Sequence, residues 1–224
     1  MNQHIENSFI EIYSDVVCPW CYIGKRRLER ALEQLDGSLG SKITWRPFEL
    51  NPTMSKAGMD RRVYLEAKFG GPAAMKAIHD RVTAAGASEG IAFAFGRIAK
   101  TPRTFDAHRL IWFAQQQGMQ DDLVESLFHS YFTEGRDIGD ASELVDIASE
   151  AGLGSVAVRK FLASSQGVEE VRSEEAEGRR MGIRGVPYYV LNGRYALSGA
   201  QPPDVFVSSL RKAEHDLAER KVGP

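Results

Sequence analysis

The chain begins with the hydrophobic pattern of two strands and a helix between them. Phe9–Ser14 (FIEIYS) and Ile43–Phe48 (ITWRPF) are short apolar runs rich in β-branched and aromatic residues, which is typical of strands. Between them an apolar stripe recurs with helical spacing, at Cys21, Leu28, Ala31, Leu32 and Leu35. Gly37 and Gly40 are expected to end this helix. A strand, a helix and a second strand in this order predict a parallel βαβ unit.

From about residue 60 to about residue 181, the apolar positions follow a helical period almost throughout. Three residues are placed to begin helices: Pro72, Thr104 and Asp140. A stripe through Leu127, Phe128 and Tyr131 is expected to be buried against neighbouring helices. The charged run Glu169–Arg180 predicts a helix that faces solvent on most sides.

The strand pattern resumes near the end of the chain. Tyr188–Leu191 and Tyr195–Ser198 flank Asn192-Gly193, a dipeptide that favours the type I′ turn of a β-hairpin. A last helix begins at Pro203. The order β-α-β, helices, β-β-α predicts an α/β protein with a thioredoxin-like fold and a large all-helical insertion. The thioredoxin-like domain is then discontinuous, formed by residues 1–55 and 182–224, and the helical insertion domain spans residues 56–181.

Composition narrows the classes of function. With 224 residues, 43% of them hydrophobic, and a net charge of -2, the chain has no charge excess that would draw it to nucleic acid or to a membrane. No apolar run approaches the roughly 18 residues of a membrane helix, and the first residues, MNQHIENS, lack the apolar region of a secretory signal. The sequence therefore predicts a cytoplasmic protein. In that compartment a close cysteine pair is more often catalytic or metal-binding than structural.

The only two cysteines, Cys18 and Cys21, flank Pro19 and Trp20. A structural zinc site needs four ligands, and the five histidines show no paired ligand spacing, so no metal site is predicted. A structural disulfide would close a very small loop and constrain the unfolded chain little. A redox centre is the remaining interpretation.

Helix geometry separates the expected roles of the two thiols. Cys18 falls at the start of the helix, where free N–H groups and the helix dipole favour an anion. We therefore expect Cys18 to be the exposed, low-pKa nucleophile. Cys21 lies one turn further on, within the apolar stripe, and is expected to be shielded and to resolve the mixed disulfide. Trp20, between them, is expected to be exposed and to contact an apolar partner.

Several motifs together resemble a known family. They are Cys18-Pro19-Trp20-Cys21 after a strand, Thr104–Leu110 (TFDAHRL), Gly185-Val186-Pro187, and Ser198–Pro202 (SGAQP). Across Phe9 to about Leu210 the chain resembles the FrnE-like branch of the DsbA thiol–disulfide oxidoreductases. From periodicity alone, Val186-Pro187 is ordinary strand entry. The resemblance instead implies a cis peptide before Pro187 that packs against the cysteines and presents the Val186 backbone to an extended peptide.

The same fold includes the kappa-class glutathione transferases and the 2-hydroxychromene-2-carboxylate isomerases. Those proteins resemble this chain in the helical insert but usually have serine where Cys18 stands. His108 and Arg109 lie in the insert motif. His108 is interpreted first as a partly buried helical histidine. The alternative is that the insert folds over the cysteines, so that His108 or Arg109 tunes the thiolate.

The sequence thus predicts a dithiol–disulfide oxidoreductase that needs no metal and no bound organic cofactor. Its substrate is a thiol or disulfide of a protein or a small molecule, glutathione included. Two alternatives remain: a glutathione-dependent isomerase or transferase of the kappa-class type, and a redox-gated peptide-binding or holdase module. Oligomeric state, reduction potential and the direction of electron flow have no signature in the sequence.

Overall fold

The computed structural model describes residues 9–35 and 42–221. The strands are β1 (Phe9–Ser14), β2 (Lys42–Pro47), β3 (Met59–Asp60), β4 (Lys100–Thr101), β5 (Tyr188–Leu191) and β6 (Tyr195–Ser198). The helices are α1 (Pro19–Glu33), α2 (Arg61–Phe69), α3 (Pro72–Ala87), α4 (Phe105–Gln115), α5 (Gln120–His129), α6 (Ala141–Glu150), α7 (Ser155–Leu162), α8 (Val168–Arg180) and α9 (Pro203–Lys221). The expected helix end at Gly37 and Gly40 lies outside the described residues.

The central sheet has the strand order β2-β1-β5-β6. β1 runs parallel to β2, with α1 as the crossover, which confirms the predicted βαβ unit. β1 is antiparallel to β5, and β5 to β6. β1 is an interior strand of the sheet, and its Ile10 and Ile12 side chains are fully buried in the apolar core. The sheet therefore places the start of α1 and the start of β5 side by side.

The predicted hairpin is confirmed at its turn. Asn192 has φ 51° and Gly193 has φ 67°, both positive, as a type I′ turn requires. Arg194 N–H donates to the Leu191 carbonyl at 3.0 Å. The Asn192 side chain also accepts a hydrogen bond from Phe9 N–H at 2.8 Å, which ties the turn to the first strand.

The insertion is helical apart from one short strand pair. β3 and β4 pair antiparallel, and so they join the two ends of the segment that contains α2 and α3. The two strands were not expected because each is only two residues long and has no alternating pattern of its own. Leu127, Phe128 and Tyr131 are fully buried, as predicted. The fold class, an α/β thioredoxin-like fold with a large helical insertion, is confirmed.

Of two residues predicted to begin helices, one caps its helix with its side chain and the other does not. The Asp140 carboxylate accepts hydrogen bonds from Ser142 N–H and Glu143 N–H and caps α6. Thr104 occupies the same position before α4, but its side chain makes no capping bond, so that expectation is corrected. Its ψ of -1° is already helical, whereas a capping side chain reaches back from an extended residue.

The two parts of the chain share one apolar core. The largest buried cluster joins β1 and α1 to side chains of α4, α5, α6 and α7 without a break. α9 packs against α1 and buries Phe206 and Leu210. No helix within the described ranges is long and apolar enough to cross a lipid bilayer.

Candidate active site

α1 positions both cysteines. Cys18 is the residue just before the helix, with extended dihedral angles (φ -94°, ψ 110°), and Pro19 is the first helical residue. Proline fits there because the N–H it lacks would have no helical partner. Cys21 N–H donates to the Cys18 carbonyl at 2.9 Å, and both cysteines are free thiols. The pair therefore lies at the N-terminus of α1, as predicted.

The two thiols have opposite pKa shifts. The pKa of Cys18 is lowered, chiefly because the Cys21 thiol donates a hydrogen bond to it, with further help from the backbone N–H groups of Cys21 and Trp20. Burial raises the pKa of Cys21 well above its usual value, and the neighbouring Cys18 raises it further. Cys18 is accordingly the sulfur that ionises first.

Cys18 is less accessible than expected. Only 6% of its surface is exposed, and Cys21 is fully buried. The expectation of an exposed Cys18 is corrected: its sulfur lies 3.6 Å from the Val186 carbonyl oxygen, and the cavity at its side is also lined by α2 and α3 of the insertion. Trp20 is likewise half-buried and packs on the core. The cavity between Cys18 and these helices is where the structure has room for a molecule beside the sulfur.

The Val186-Pro187 segment completes the immediate surroundings of Cys18. The Val186–Pro187 peptide bond is cis, as the resemblance implied. The Cys18 thiol donates to the Val186 carbonyl oxygen, with Sγ and oxygen 3.6 Å apart. Gly199 N–H donates to the Pro187 carbonyl at 2.8 Å and holds the segment against the end of β6. Whether Val186 and Pro187 bind substrate stays a prediction.

His108 lies close to the cysteine loop. It is 3% exposed, and its Nε2 is 3.5 Å from Oδ1 of Asp15, three residues before Cys18. Burial is the largest single effect and lowers the pKa of His108, but Asp15, Glu175 and Glu49 together outweigh burial, so the net shift of the pKa is upward. The position of His108 beside Asp15 is consistent with a tuning role, which stays a prediction.

Arg109 does not lie with the cysteines. Its guanidinium donates to the carbonyl oxygens of Phe161, Ser164 and Gln166 and to the Asp106 carboxylate at 2.7 Å. All these groups belong to α7, to the loop after it, or to α4 itself. The expectation that Arg109 tunes the thiolate is corrected: neighbouring positions on a helix point about 100° apart, so only one of the pair faces the cysteine loop.

A buried carboxylate was missed from the sequence, although it lies in the stretch just before the cysteines. Asp15 is almost fully buried, and its Oδ2 accepts a hydrogen bond from Leu50 N–H at 2.7 Å. Its negative charge partly opposes the lowering of the Cys18 pKa. Because a strand followed by a polar residue is common, nothing in the local pattern marked Asp15 as buried.

A second missed carboxyl group, Glu49, lies near Asp15. Burial raises the pKa of Glu49 to about 7. His108 lowers it, whereas Glu175 and Asp15 raise it further. Glu49 Oε1 has no hydrogen-bond partner within the described residues. Three carboxyl groups and one histidine thus share a buried cluster under the cysteine loop.

A cavity of about 300 Å³ opens beside Cys18. Cys18, Pro19 and Trp20 form one side of it, and α2 and α3 cover the other. The covering side includes Arg61, Tyr64, Leu65, Ile78, His79 and Val82. Sequence reasoning did not place α2 in the site, because its apolar positions form no stripe longer than two turns.

Comparison with known proteins agrees with this geometry. The sequence model of the DSBA-like thioredoxin domain matches residues 9–211. The chain belongs to the DSBA-like thioredoxin family. The chain is similar to the uncharacterized protein YwbO of Bacillus subtilis. The two are 26% identical over 207 residues, which cover 90% of this chain and 94% of YwbO.

Solved structures show the same relationship. The probable DsbA oxidoreductase SCO1869 of Streptomyces coelicolor is 36% identical with a TM-score of 0.85, over 92% of this DSBA-like chain and 90% of that protein. The cytosolic disulfide reductase DsbM of Pseudomonas aeruginosa has a TM-score of 0.62 at 17% identity, over 95% and 98% of the two chains. A 2-hydroxychromene-2-carboxylate isomerase has a TM-score of 0.65 at 15% identity, over 96% and 98%. The last two comparisons establish a shared fold.

Proposed function

We propose that this DSBA-like protein is a dithiol–disulfide oxidoreductase in which Cys18 attacks and Cys21 resolves. The observation that carries the proposal is the cysteine pair at the N-terminus of α1, with the pKa of Cys18 lowered and that of Cys21 raised. A serine at either position would remove the second sulfur that exchange of two electrons needs. Membership of the FrnE-like branch stays a prediction.

The reaction is a pair of exchanges between sulfurs. The Cys18 thiolate attacks one sulfur of a substrate disulfide, a Cys18–substrate disulfide forms, and the other substrate sulfur leaves as a thiolate. Cys21 then loses its proton and attacks Cys18 Sγ, which releases the second substrate thiolate. Two electrons pass from the dithiol to the substrate, and both leaving thiolates take up protons from solvent. The reverse sequence oxidises a substrate dithiol.

The cysteine pair supplies all the redox chemistry, so the proposal includes no metal and no bound organic cofactor. The cytoplasm, where thiols are kept reduced, is the proposed location. Substrates are thiols or disulfides. Support for this class comes from the disulfide oxidoreductase and disulfide reductase descriptions of the similar structures.

The proposal is tested by following the reaction of the reduced protein with a small disulfide, hydroxyethyl disulfide, by mass spectrometry. The wild-type protein should end as the Cys18–Cys21 disulfide. Cys21→Ser should stop at the mixed disulfide on Cys18, because no resolving thiol remains. Cys18→Ser should not turn over. Turnover by Cys18→Ser at the wild-type rate would refute the assignment, and binding of peptides without any turnover would favour the peptide-binding module.

A glutathione-dependent isomerase or transferase is a second candidate, favoured by the cavity at Cys18 and by Asn51 in its wall. Such a reaction needs one sulfur of the substrate thiol and leaves Cys21 idle. Cys21→Ser therefore separates the two candidates: an isomerase or transferase keeps its multiple-turnover rate in this variant, whereas an oxidoreductase loses it.

A further inference from the structure

Arg61 carries a buried charge that forms no ion pair with a carboxylate in the described ranges of the chain. It is the first residue of α2, only 7% of its surface is exposed, and it lines the cavity beside Cys18. Its Nη1 donates to the Tyr131 hydroxyl at 2.9 Å, and the guanidinium lies over the rings of Phe95 and Tyr131. Its Nε has no hydrogen-bond partner in the described part of the chain.

Two other buried cations in the protein, Lys25 and Arg109, have carboxylate partners. Lys25, equally buried, has Glu29, Asp121 and Glu125 within ion-pair distance. Arg109 has Asp106 and three carbonyl oxygens. Among the described residues, none of the ion pairs involves Arg61. Since burial of an unpaired charge is costly, the position of Arg61 indicates that an anion supplied from outside completes it.

The rest of the cavity adds positive charge. Lys68 and Arg81 line it from α2 and α3 and lie at its exposed side. Asp15 is the acidic residue in its wall, and its carboxylate is already engaged by Leu50 N–H and His108. An anion that enters the cavity therefore meets three cations and no free carboxylate in the described wall.

We propose that Arg61 binds a carboxylate of the substrate, and that the substrate is a small disulfide or thiol carrying carboxylate groups. This inference rests on the proposed disulfide exchange at Cys18. The cavity volume of about 300 Å³ is at the small end of ligand sites, and much of its wall is apolar. It suits a small molecule with a short carbon chain between sulfur and carboxylate. A hydrogen bond between a guanidinium and a carboxylate is stronger than one between neutral groups, because both partners are charged.

The carboxylate stays unchanged in the reaction. Cys18 forms and breaks the same sulfur–sulfur bonds as described above, and the two electrons pass from the dithiol to the substrate disulfide. Arg61 holds one end of the substrate so that a substrate sulfur lies next to Cys18 Sγ. Arg61 thus binds the substrate and selects substrates by their charge.

The test compares three small symmetrical disulfides of similar length: dithiodipropionate with two carboxylates, neutral hydroxyethyl disulfide, and cationic cystamine. For each one, the rate constant with reduced protein is divided by that with free mercaptoethanol, which corrects for intrinsic reactivity. A charged hydrogen-bonded pair in a buried site is expected to raise the corrected rate for dithiodipropionate about tenfold or more above that for hydroxyethyl disulfide. Cystamine should react slowest.

Arg62 offers a matched control for Arg61. It is the next residue of α2, with 74% of its side chain exposed. Arg61→Met should bring the ratio of the dithiodipropionate and hydroxyethyl disulfide rates down to near one, whereas Arg62→Met should keep the wild-type ratio. A wild-type protein without preference, or an Arg61→Met variant that keeps the full preference, would overturn the inference.

A second measurement needs no variant. Adipate, a dicarboxylate without sulfur, should compete with hydroxyethyl disulfide for the wild-type cavity and slow the labelling of Cys18, and its neutral diamide should not. Equal effects of adipate and its diamide would overturn the inference even if Arg61→Met does not fold. If none of the three disulfides reacts, the proposed disulfide exchange itself fails. If all three react with equal corrected rates, or if a folded protein disulfide reacts faster than dithiodipropionate, only the substrate class is wrong.

Discussion

A Cβ atom added to Gly24 would overlap the hydroxyl oxygen of Tyr189 and would lie 3.1 Å from Cγ of Pro187. Gly24 is in the second turn of α1, Tyr189 is in β5, and Pro187 immediately precedes that strand. The absent side chain is therefore what allows the helix bearing the cysteines to lie directly on the segment that contacts Cys18.

Gly24→Ala is expected to lower the free energy of unfolding by about 1–3 kcal/mol, because the added methyl group has no space without movement of α1 or β5. The Tyr189 hydroxyl is buried and has no partner in the described residues, so Tyr189→Phe should cost little and should leave room for the methyl group. The double variant should then recover about 0.5 kcal/mol or more relative to additivity in urea unfolding. Additive costs in the double variant would show that the two positions do not collide.

Cys18 should be alkylated before Cys21. Its pKa is lowered and that of Cys21 is raised, so at about pH 6 Cys18 supplies the larger thiolate fraction. Limiting iodoacetamide, which is small enough for the cavity, is added to the reduced protein, and the label is mapped by peptide mass spectrometry. The same label on unfolded protein gives the control ratio. Labelling mainly at Cys21 in the folded protein would reverse the assigned roles.

Glu49 should make the protein less stable as pH rises. Burial holds its pKa at about 7 in the folded state, against 4.5 for the free group. Its contribution is therefore complete below about pH 4 and is lost as pH rises through 7, because the unfolded chain releases the proton first. His108, whose pKa is also raised, changes stability in the same direction.

Glu49→Gln should flatten this dependence and should be more stable than wild type at about pH 8, by an amount on the order of 1–3 kcal/mol. The control Glu33→Gln, at an exposed position of α1, should follow the wild-type curve. Urea unfolding at several pH values between about 5 and 8 measures both. Parallel curves for wild type and Glu49→Gln would contradict a neutral, buried Glu49.

Phe128→Ala should cost about 3–5 kcal/mol of unfolding free energy, because Phe128 is fully buried and stacks on Tyr22 with ring centroids 5.1 Å apart. The contact joins the insertion to α1, so the loss should be felt in both parts of the chain. Val156→Ala, at a position that is 82% exposed, should change stability by less than about 0.5 kcal/mol. A cost near zero for Phe128→Ala would mean that the insertion contributes no cohesive core.

Local sequence patterns predicted an element correctly where its residue types have one strong structural preference. The strand Phe9–Ser14 and the hairpin around Asn192-Gly193 were predicted with their observed bounds. The second strand shifted by one residue, to Lys42–Pro47. Pro19 and the cysteine spacing correctly placed the pair at the start of α1. In each case the information lies within a few residues of the feature it predicts.

Features that depend on tertiary packing were not predictable in this way. Arg61 and Arg62 are adjacent and chemically identical, yet one is buried in the cavity and the other is exposed. Cys18 was expected to be exposed because nothing in its own helix covers it, but the Val186 carbonyl, 168 positions away in the chain, lies against its sulfur. Burial of Asp15 and Glu49 likewise depends on contacts with distant elements.

Cys18 and Val186, which meet in the site, are 168 positions apart in the chain. At a synthesis rate of about 5–20 residues per second, the ribosome needs roughly 8–34 seconds to extend the chain by these 168 positions, from Cys18 to Val186. Throughout that interval the two thiols of the nascent chain lack Val186 and β5 beside them, although α2 and α3 are made early in it. The nascent protein thus passes through a period in which Cys18 can react with an oxidant or with a cysteine of a neighbouring nascent chain. Its site becomes selective for substrate only when translation is nearly complete.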